Sequence, residues 1–350
     1  MKSNYEPLGK HIRLVDYRNS EEVTSTVLGI SIDKEFMPSV ANVIGTDLSR
    51  YKLISKGLFA CNPMHVGRDE RLPIALYEKD NAAIVSPAYF MFEIIDRDVL
   101  NEEYLMMWFR RPEFDRECWF MTDGSVRGGI SWDDLCRIQL PVPPYERQLD
   151  VVESYRAITR RIAMKKEIND NLEAVLAASH SKMFFSKDTS EHSKLGELMT
   201  FGNGKSRPKT DGPIPVYGGN GVLSYTDHHN IENAVLIGRV GAYCGSVYLE
   251  QGICWVSDNA IFAKSKITKD EFFDYFLLKR LNLFNHHVGT GQQLLTQEIL
   301  NNIEVPKPVT EQIELFNRKA TSIFETIFTT SREIIRLQEL SDLLLSRLAG

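Results

Sequence analysis

Ile138-Gln139-Leu140-Pro141-Val142-Pro143-Pro144-Tyr145-Glu146 returns later in the chain as Ile303-Glu304-Val305-Pro306-Lys307-Pro308-Val309-Thr310-Glu311. The offset is 165 residues (303 − 138). It holds without a gap upstream, for Gly124 and Gly289, Ser131 and Thr296, and Leu135 and Leu300. It holds downstream for Ile158 and Ile323, Ile162 and Ile327, and Leu172 and Leu337 (337 − 172 = 165). Matches of like type at one offset over so long a stretch mark a duplication. The chain reads as two copies of one unit: a variable globular domain, a Pro-x-Pro turn and a long helix. The expected partition is a first domain over 1–145, a first helix over 146–185, a second domain over 186–305 and a second helix over 306–350.

The two helices carry the same pattern. Ile323, Ile327, Thr330, Ile334, Leu337, Ser341, Leu344 and Leu348 alternate steps of four and three, as do Ile158, Ile162, Lys165, Asn169, Leu172, Leu176, Ser179 and Met183. A period of 3.5 is the seam of a coiled coil. A helix over 146–185 is ~60 Å long at ~1.5 Å per residue, too long to lie inside one domain. The two seams are therefore expected to pair with each other, with Lys165 and Asn169 as polar seam positions that fix register.

Each domain opens on Leu-Gly (Leu8-Gly9, Leu195-Gly196) and is strand-rich. In the first, Val23–Ile32, Ile74–Tyr77, Ala83–Ser86 and Tyr89–Ile95 read as strands, Leu53–Cys61 as a turn into a buried strand, 62–73 as a polar loop and Glu102–Phe109 as a helix. In the second, Ala234–Ile237, Ser246–Leu249, Ile253–Ser257 and Ala260–Ala263 read as strands and Asp270–Lys279 as a helix.

Composition narrows the function. At 43% hydrophobic and 25% charged, the 350 residues suit two ordinary globular domains. No apolar run approaches the ~18 residues that span a bilayer. Met1-Lys2-Ser3-Asn4-Tyr5-Glu6 lacks the apolar core of a signal peptide, so a cytoplasmic protein is expected. None of the five cysteines forms a Cys-x-x-Cys pair, which points to core thiols. His228-His229 and His286-His287 have no Cys or Glu at ligand spacing. The net charge of −6 is spread so that no segment is basic overall. A nucleic-acid face must then be a local basic surface, or partners must complete it.

Catalytic patterns fail one by one. Gly202-Asn203-Gly204-Lys205-Ser206 lacks the first glycine of a phosphate loop, because position 199 is methionine. Gly218-Gly219-Asn220-Gly221 lacks dinucleotide spacing. Pro143-Pro144-Tyr145 follows Val142, where an adenine methyltransferase carries Asp or Asn. What remains is binding chemistry in loops. Asn62, His65, Arg68 and Arg71 share one loop, and Arg127 lies in a glycine-rich one. In the second copy Lys205, Arg207 and Lys209 flank Pro208, Tyr217 and Asn220 follow, and Arg239 sits in Gly238-Arg239-Val240-Gly241. Gln292 and Gln293 match the Arg127 loop. Arg, Asn and Gln are the side chains that grip guanine and adenine edges with two hydrogen bonds.

The Leu-Gly openings, Gly218–Gly221, Ile237–Gly241, Ser257-Asp258-Asn259-Ala260 and Ile303–Gln312 resemble the specificity subunit of type I restriction–modification systems. The resemblance covers nearly the whole chain. It implies an α+β fold: two homologous target-recognition domains, each a twisted sheet with helices, joined by two long helices in an antiparallel coiled coil with pseudo-twofold symmetry. The seam would use Ile158, Ile162, Leu172, Leu176, Ile323, Ile327, Ile334, Leu337 and Leu344. It also implies a non-catalytic chain that binds no cofactor, reads a bipartite, asymmetric site on double-stranded DNA, and docks two adenine-N6 methyltransferase subunits. S-adenosylmethionine would belong to those subunits, and ATP and Mg to a restriction subunit. Two rival readings stay open on the residues alone: a coiled-coil protein displaying two domains that bind something other than DNA, and a self-contained methyltransferase.

Overall fold

The computed structural model describes residues 5–40, 45–122, 128–186, 191–289 and 291–349, the side chains of His65 and Ala349 excepted. Two compact units divide the chain: Met1–Met164 with Ile334–Gly350, and Lys165–Glu333. The dividing lines fall inside the two long helices rather than at their ends, so each unit owns part of both.

Unit 1 contains strands β1 (Tyr5–Pro7), β2 (Ile12–Leu14), β3 (Val27–Ile30), β4 (Phe36–Pro38), β5 (Lys52–Ile54), β6 (Phe59–Cys61), β7 (Ile74–Leu76), β8 (Ala83–Val85), β9 (Phe90–Ile94) and β10 (Gln139–Pro141). Its short helices are α1 (Val66–Asp69), α2 (Glu102–Phe109), α3 (Pro112–Phe120) and α4 (Trp132–Arg137). The stretch 62–73, expected as loop, thus holds the single turn α1. Two four-stranded sheets form, β2-β9-β6-β7 and β4-β3-β8-β5. The β3–β4 hairpin reaches the helices through Lys34, which is buried. Its ammonium bonds Asp115 at 2.6 Å and the Phe109 carbonyl, and Asp115 also accepts the Leu72 N–H at 3.0 Å. Burial pulls the Lys34 pKa down, and the charge of Asp115 opposes it.

Helices α5 (Tyr145–Phe185) and, after unit 2, α9 (Thr310–Ser346) confirm the two long elements. Unit 2 contains β11 (His192–Lys194), α6 (Leu195–Leu198), β12 (Met199–Asn203), β13 (Ile214–Gly218), β14 (Gly221–Thr226), β15 (Ile231–Gly238), β16 (Val247–Val256), β17 (Ala260–Ser265), α7 (Phe272–Arg280), α8 (Gln297–Asn302) and β18 (Glu304–Pro306). One six-stranded sheet runs β12-β17-β15-β16-β13-β14. The sequence suggests two strands over 246–257. The structure has one, because β15 pairs along β16 from Val247 to Cys254 and carries it through Gly252.

The two units share one topology. In unit 1, β5 and β6 together take the place of β15, and β7 and β8 that of β16. The parallel pair β3 and β8 matches β13 and β16. The break in unit 1 sits at Gly57 (φ 85°), and unit 2 has a bulge beside Asn233 (φ 47°). Aligning Leu58 with Ala234 (234 − 58 = 176) superposes these two left-handed residues.

Each unit closes through the repeated stretch. β1 pairs antiparallel with β10, and β11 with β18. The Leu8 and Leu195 N–H groups donate to the Ile138 and Ile303 carbonyls at 2.8 and 2.9 Å. Ser131 and Thr296 cap α4 and α8 by accepting the Asp134 and Ile299 N–H groups. The Leu-Gly glycines have a packing reason: a Cβ on Gly9 would stand 2.7 Å from Cys136 Cβ, and one on Gly196 would stand 2.5 Å from Asn301 Oδ1.

The long helices bury the expected seam. Ile334 is buried, and Ile158, Ile162, Leu172, Ile323, Ile327, Leu337 and Leu344 are half-buried, as is the polar pair Lys165 and Asn169; Leu176 is in the unit 2 core. Within unit 2 the segments run antiparallel, with Lys165 on Glu333 and Asn169 donating to Ser331 Oγ at 3.1 Å. Further along, Phe324 stacks on Phe272 at 4.7 Å. In unit 1, Val152 and Leu345 join the core built on Phe59 and Phe92.

A buried amide pins one short helix of each unit, the cap helices α2 and α7, to a long helix. Gln148 accepts the Asn101 N–H at 2.9 Å and donates to the Val99 and Pro143 carbonyls, both at 2.9 Å. Asn317 accepts the Phe273 N–H and donates to Thr268 Oγ1 and the Asp270 carbonyl, all at 2.9 Å. The repeat offset aligns Gln148 with Ile313 (148 + 165), so the second copy does the same work one helical turn later.

Candidate nucleic-acid interface

Five loop segments of unit 2 meet at one end of its sheet. The Gly204 and Lys205 N–H groups donate to the Ala260 and Val256 carbonyls, at 3.1 and 2.9 Å. Ser257 N–H donates to the Tyr217 carbonyl at 2.8 Å, and Arg239 N–H to the Asn259 carbonyl at 3.0 Å. Gly241 N–H reaches the Gln293 carbonyl at 3.0 Å, and Leu295 N–H the Arg239 carbonyl at 2.9 Å. Glycine makes the approach possible: a Cβ on Gly204 would lie 1.9 Å from the Ser257 carbonyl oxygen.

This edge brings together most of the residues expected for the second copy. Lys205, Arg207, Lys209, Asn220 and Gln292 are exposed, and Arg239 and Gln293 half-buried. Among the described residues, none of the four cations pairs with a carboxylate. Arg239 is held by the Asp258 carbonyl, 3.4 Å from Nη1. Its Nε and the Ser257 hydroxyl are buried without a partner. Tyr217 is engaged within the fold. Its hydroxyl donates to Glu250 at 3.0 Å, and burial and that carboxylate raise its pKa, so it braces β13 against β16. Sequence reasoning missed Tyr243, 49% exposed in the turn Gly241–Tyr243. Its signal was an aromatic four residues after Arg239, and bases stack on such rings.

Unit 1 repeats the scaffold with different chemistry. Ile130 N–H donates to the Pro63 carbonyl and Gly67 N–H to the Gly128 carbonyl, at 3.2 and 3.0 Å. These are the counterparts of the Leu295 and Gly241 bonds (130 + 165 = 295; 128 + 165 = 293), so Pro63 stands where unit 2 has Arg239. Asn62 is occupied: it caps the turn Pro63–His65 through Met64 N–H at 3.2 Å and faces the Tyr89 hydroxyl at 3.5 Å. Arg68 forks onto Asp69 at 2.7 and 2.8 Å, and Arg71 pairs with Asp33 at 3.3 Å. Arg68 and Arg71 are thus neutralised locally. Arg127 and the His65 side chain lie outside the described residues.

Among the described residues, no group of three or more His, Cys, Asp or Glu side chains is arranged to hold a metal, and no helix is long and apolar enough to cross a membrane. Cys61, Cys118, Cys244 and Cys254 are buried free thiols, and Cys136 is partly buried.

A sequence profile of the type I restriction modification DNA specificity domain matches residues 187–343. No curated protein matches the chain. Among solved structures, the S subunit of a type I restriction–modification system from M. genitalium aligns with TM-score 0.60 at 14% identity, over 98% of this chain and 95% of that one. A structure described as the basis of complex assembly and conformational transition of the type I R-M system aligns with TM-score 0.49 at 17% identity, over 99% and 97%. The HsdS subunit from Thermoanaerobacter tengcongensis aligns with TM-score 0.39 at 16% identity, over 98% and 95%. Residues 187–343 thus match the type I restriction modification DNA specificity domain, and over its length the chain shares the fold of the M. genitalium S subunit.

Proposed function

We propose that this chain is the non-catalytic, sequence-reading subunit of a type I restriction–modification complex. Domain 1 (1–145) and domain 2 (186–305) each read one half of a bipartite, asymmetric DNA site. Two domains of one topology with different loop chemistry suit an asymmetric target, since identical readers would select a palindrome. Helices 146–185 and 306–350 set the spacing between half-sites and carry two adenine-N6 methyltransferase subunits. Those subunits hold S-adenosylmethionine, and restriction subunits use ATP and Mg. With its net charge of −6, the chain relies on these partners, in the cytoplasm, to complete the DNA clamp.

The observation that carries this reading is the loop edge of unit 2. Lys205, Arg207, Lys209 and Arg239 gather there without carboxylate partners, next to Asn220, Tyr243, Gln292 and Gln293. The exposed lysines and Arg207 suit phosphates, and Asn, Gln and Arg suit base edges. Exchanging residues 193–305 with those of another family member should change one half of the methylated motif and leave the other. A change in both halves refutes the two-reader assignment. Alanine at Lys205 or Arg207, assayed in the methyltransferase complex, should lower the slope of log affinity against log salt by about one. Unchanged affinity, slope and sequence preference would mean that these loops do not touch DNA.

A further inference from the structure

Each unit carries a cleft between its cap helix and the C-terminal part of a long helix. The unit 1 cleft, about 1020 Å³, is lined by Met106, Arg110, Asp342 and Leu345 among others. The unit 2 cleft, about 530 Å³, is lined by Phe276, Arg280, Ala177 and His180 among others. These residues correspond. On the long helices, Asp342 aligns with Ala177 and Leu345 with His180 (342 − 165; 345 − 165). Aligning the first residues of α2 and α7 (272 − 102 = 170) places Met106 on Phe276 and Arg110 on Arg280.

The two arginines share an unusual setting. Arg110 lies over the Tyr155 ring at 5.9 Å, and Arg280 over the Phe185 ring at 4.4 Å. Arg280 also donates to Ser181 Oγ at 3.0 Å. Neither pairs with a carboxylate among the described residues, whereas Arg13, Arg18, Arg97, Arg137 and Arg156 all do. A guanidinium over a ring is oriented by it, and the N–H groups that bond nothing else stay available. In the unit 2 cleft, His180 adds a buried Nε2 with no partner.

We infer that the two clefts are a duplicated docking site, one per unit, for a partner polypeptide that presents a carboxylate beside apolar side chains. The carboxylate takes the fork of Arg110 or Arg280, and the apolar groups rest on Met106 and Leu345 or on Phe276 and Ala177. A polyanion fits poorly, because Asp33 and Asp342 line the first cleft and Asp170 and Glu173 the second. Duplication of the site calls for two copies of one partner. The inference rests on the reading above, in which partner subunits assemble on this chain.

The test uses the full chain and the methyltransferase subunit encoded with it, with stoichiometry from native mass spectrometry and affinity from calorimetry. The wild type should bind two copies, R110E and R280E one each, and the double variant none, each lost copy being weakened on the order of 100-fold. R110Q and R280Q, which add no reversed charge, should weaken one copy by about tenfold, and they keep the test open if a glutamate variant fails to fold. Two copies bound at wild-type affinity by R110Q and R280Q overturn the inference while leaving the assembly reading intact. No binding by the wild type overturns the assembly reading, and the inference with it. Two copies bound but a reduced salt slope for DNA would make the clefts DNA contacts, which also overturns it.

Discussion

Replacing Asn317 by alanine should detach the start of α7 from α9. Asn317 is 2% exposed and makes three hydrogen bonds of 2.9 Å to the segment 268–273. Truncation leaves the Phe273 N–H without its partner, while the Asp270 carbonyl keeps the Thr268 hydroxyl at 2.8 Å. Such a loss costs about 1–3 kcal/mol in a buried setting, so the variant should lose ~1–3 kcal/mol. Asn317→Asp keeps the acceptor but sets a buried carboxylate against the Asp270 carbonyl, and should cost at least as much. Gln148→Ala removes the equivalent bonds at Asn101, Val99 and Pro143 and should cost a similar amount. Amide hydrogen exchange locates the effect: protection should fall in 270–280 for the first variant and in 99–109 for the second. The two residues lie in different units, so the double variant should be additive within ~0.5 kcal/mol. A change below ~0.5 kcal/mol for either truncation, or protection lost evenly across both units, refutes the claim that these amides anchor the cap helices.

Three further outcomes are expected. Burial first, then Glu271, raises Asp274 to about 7, while burial first, then Arg280, lowers His180 to about 4. The Asp274 contribution to unit 2 stability is complete below its unfolded value near 3.8 and is lost as pH rises through 7; that of His180 is complete above 6.5 and is lost as pH falls through 4. Asp274→Asn should therefore remove a loss of Tm that sets in as pH rises from 3.8 to about 7, and His180→Gln one that sets in as pH falls from 6.5 to about 4; unchanged slopes in these windows would contradict the assignment. Gly204→Ala places a Cβ 1.9 Å from the Ser257 carbonyl oxygen, so methylation assays with variant targets should show a weakened second half-site and an unaffected first one. Four residues inserted after Leu172 lengthen α5 by ~6 Å and add a stutter that a coiled coil tolerates; the methylated motif should gain about one base pair of spacer with both half-sites unchanged.

The duplicated stretch was legible because packing constrains it twice. Its helix caps, its closing strands and the glycines against Cys136 and Asn301 recur at fixed spacing. The long helices were legible because a 3.5 period survives polar interruptions such as Lys165. The sheets were less so. Gly57 could be read as a break, but Asn233 adopts the same left-handed backbone without being glycine, and the effect on the strand is a bulge instead of a gap. Helix α3 escaped because its buried face, Phe114, Asp115 and Cys118, includes a carboxylate. At the candidate interface the cations were visible but their neutralisation was not. Asp33 reaches Arg71 from 38 positions away, and Glu250 takes the Tyr217 hydroxyl from 33 away. A count of basic residues in a loop cannot register an acid that the fold delivers from elsewhere.

The division of the chain has a consequence for its synthesis. Leu345 belongs to the buried core of unit 1, with Leu344 and Leu348 packed against it, although the rest of that core lies within residues 5–155. The residues of unit 2 end at Glu333. The half that leaves the ribosome first must therefore wait, with part of its apolar surface open, until residues near 348 emerge. The half made second is complete in sequence before it, against the N-terminal-first order usual for domains on a growing chain.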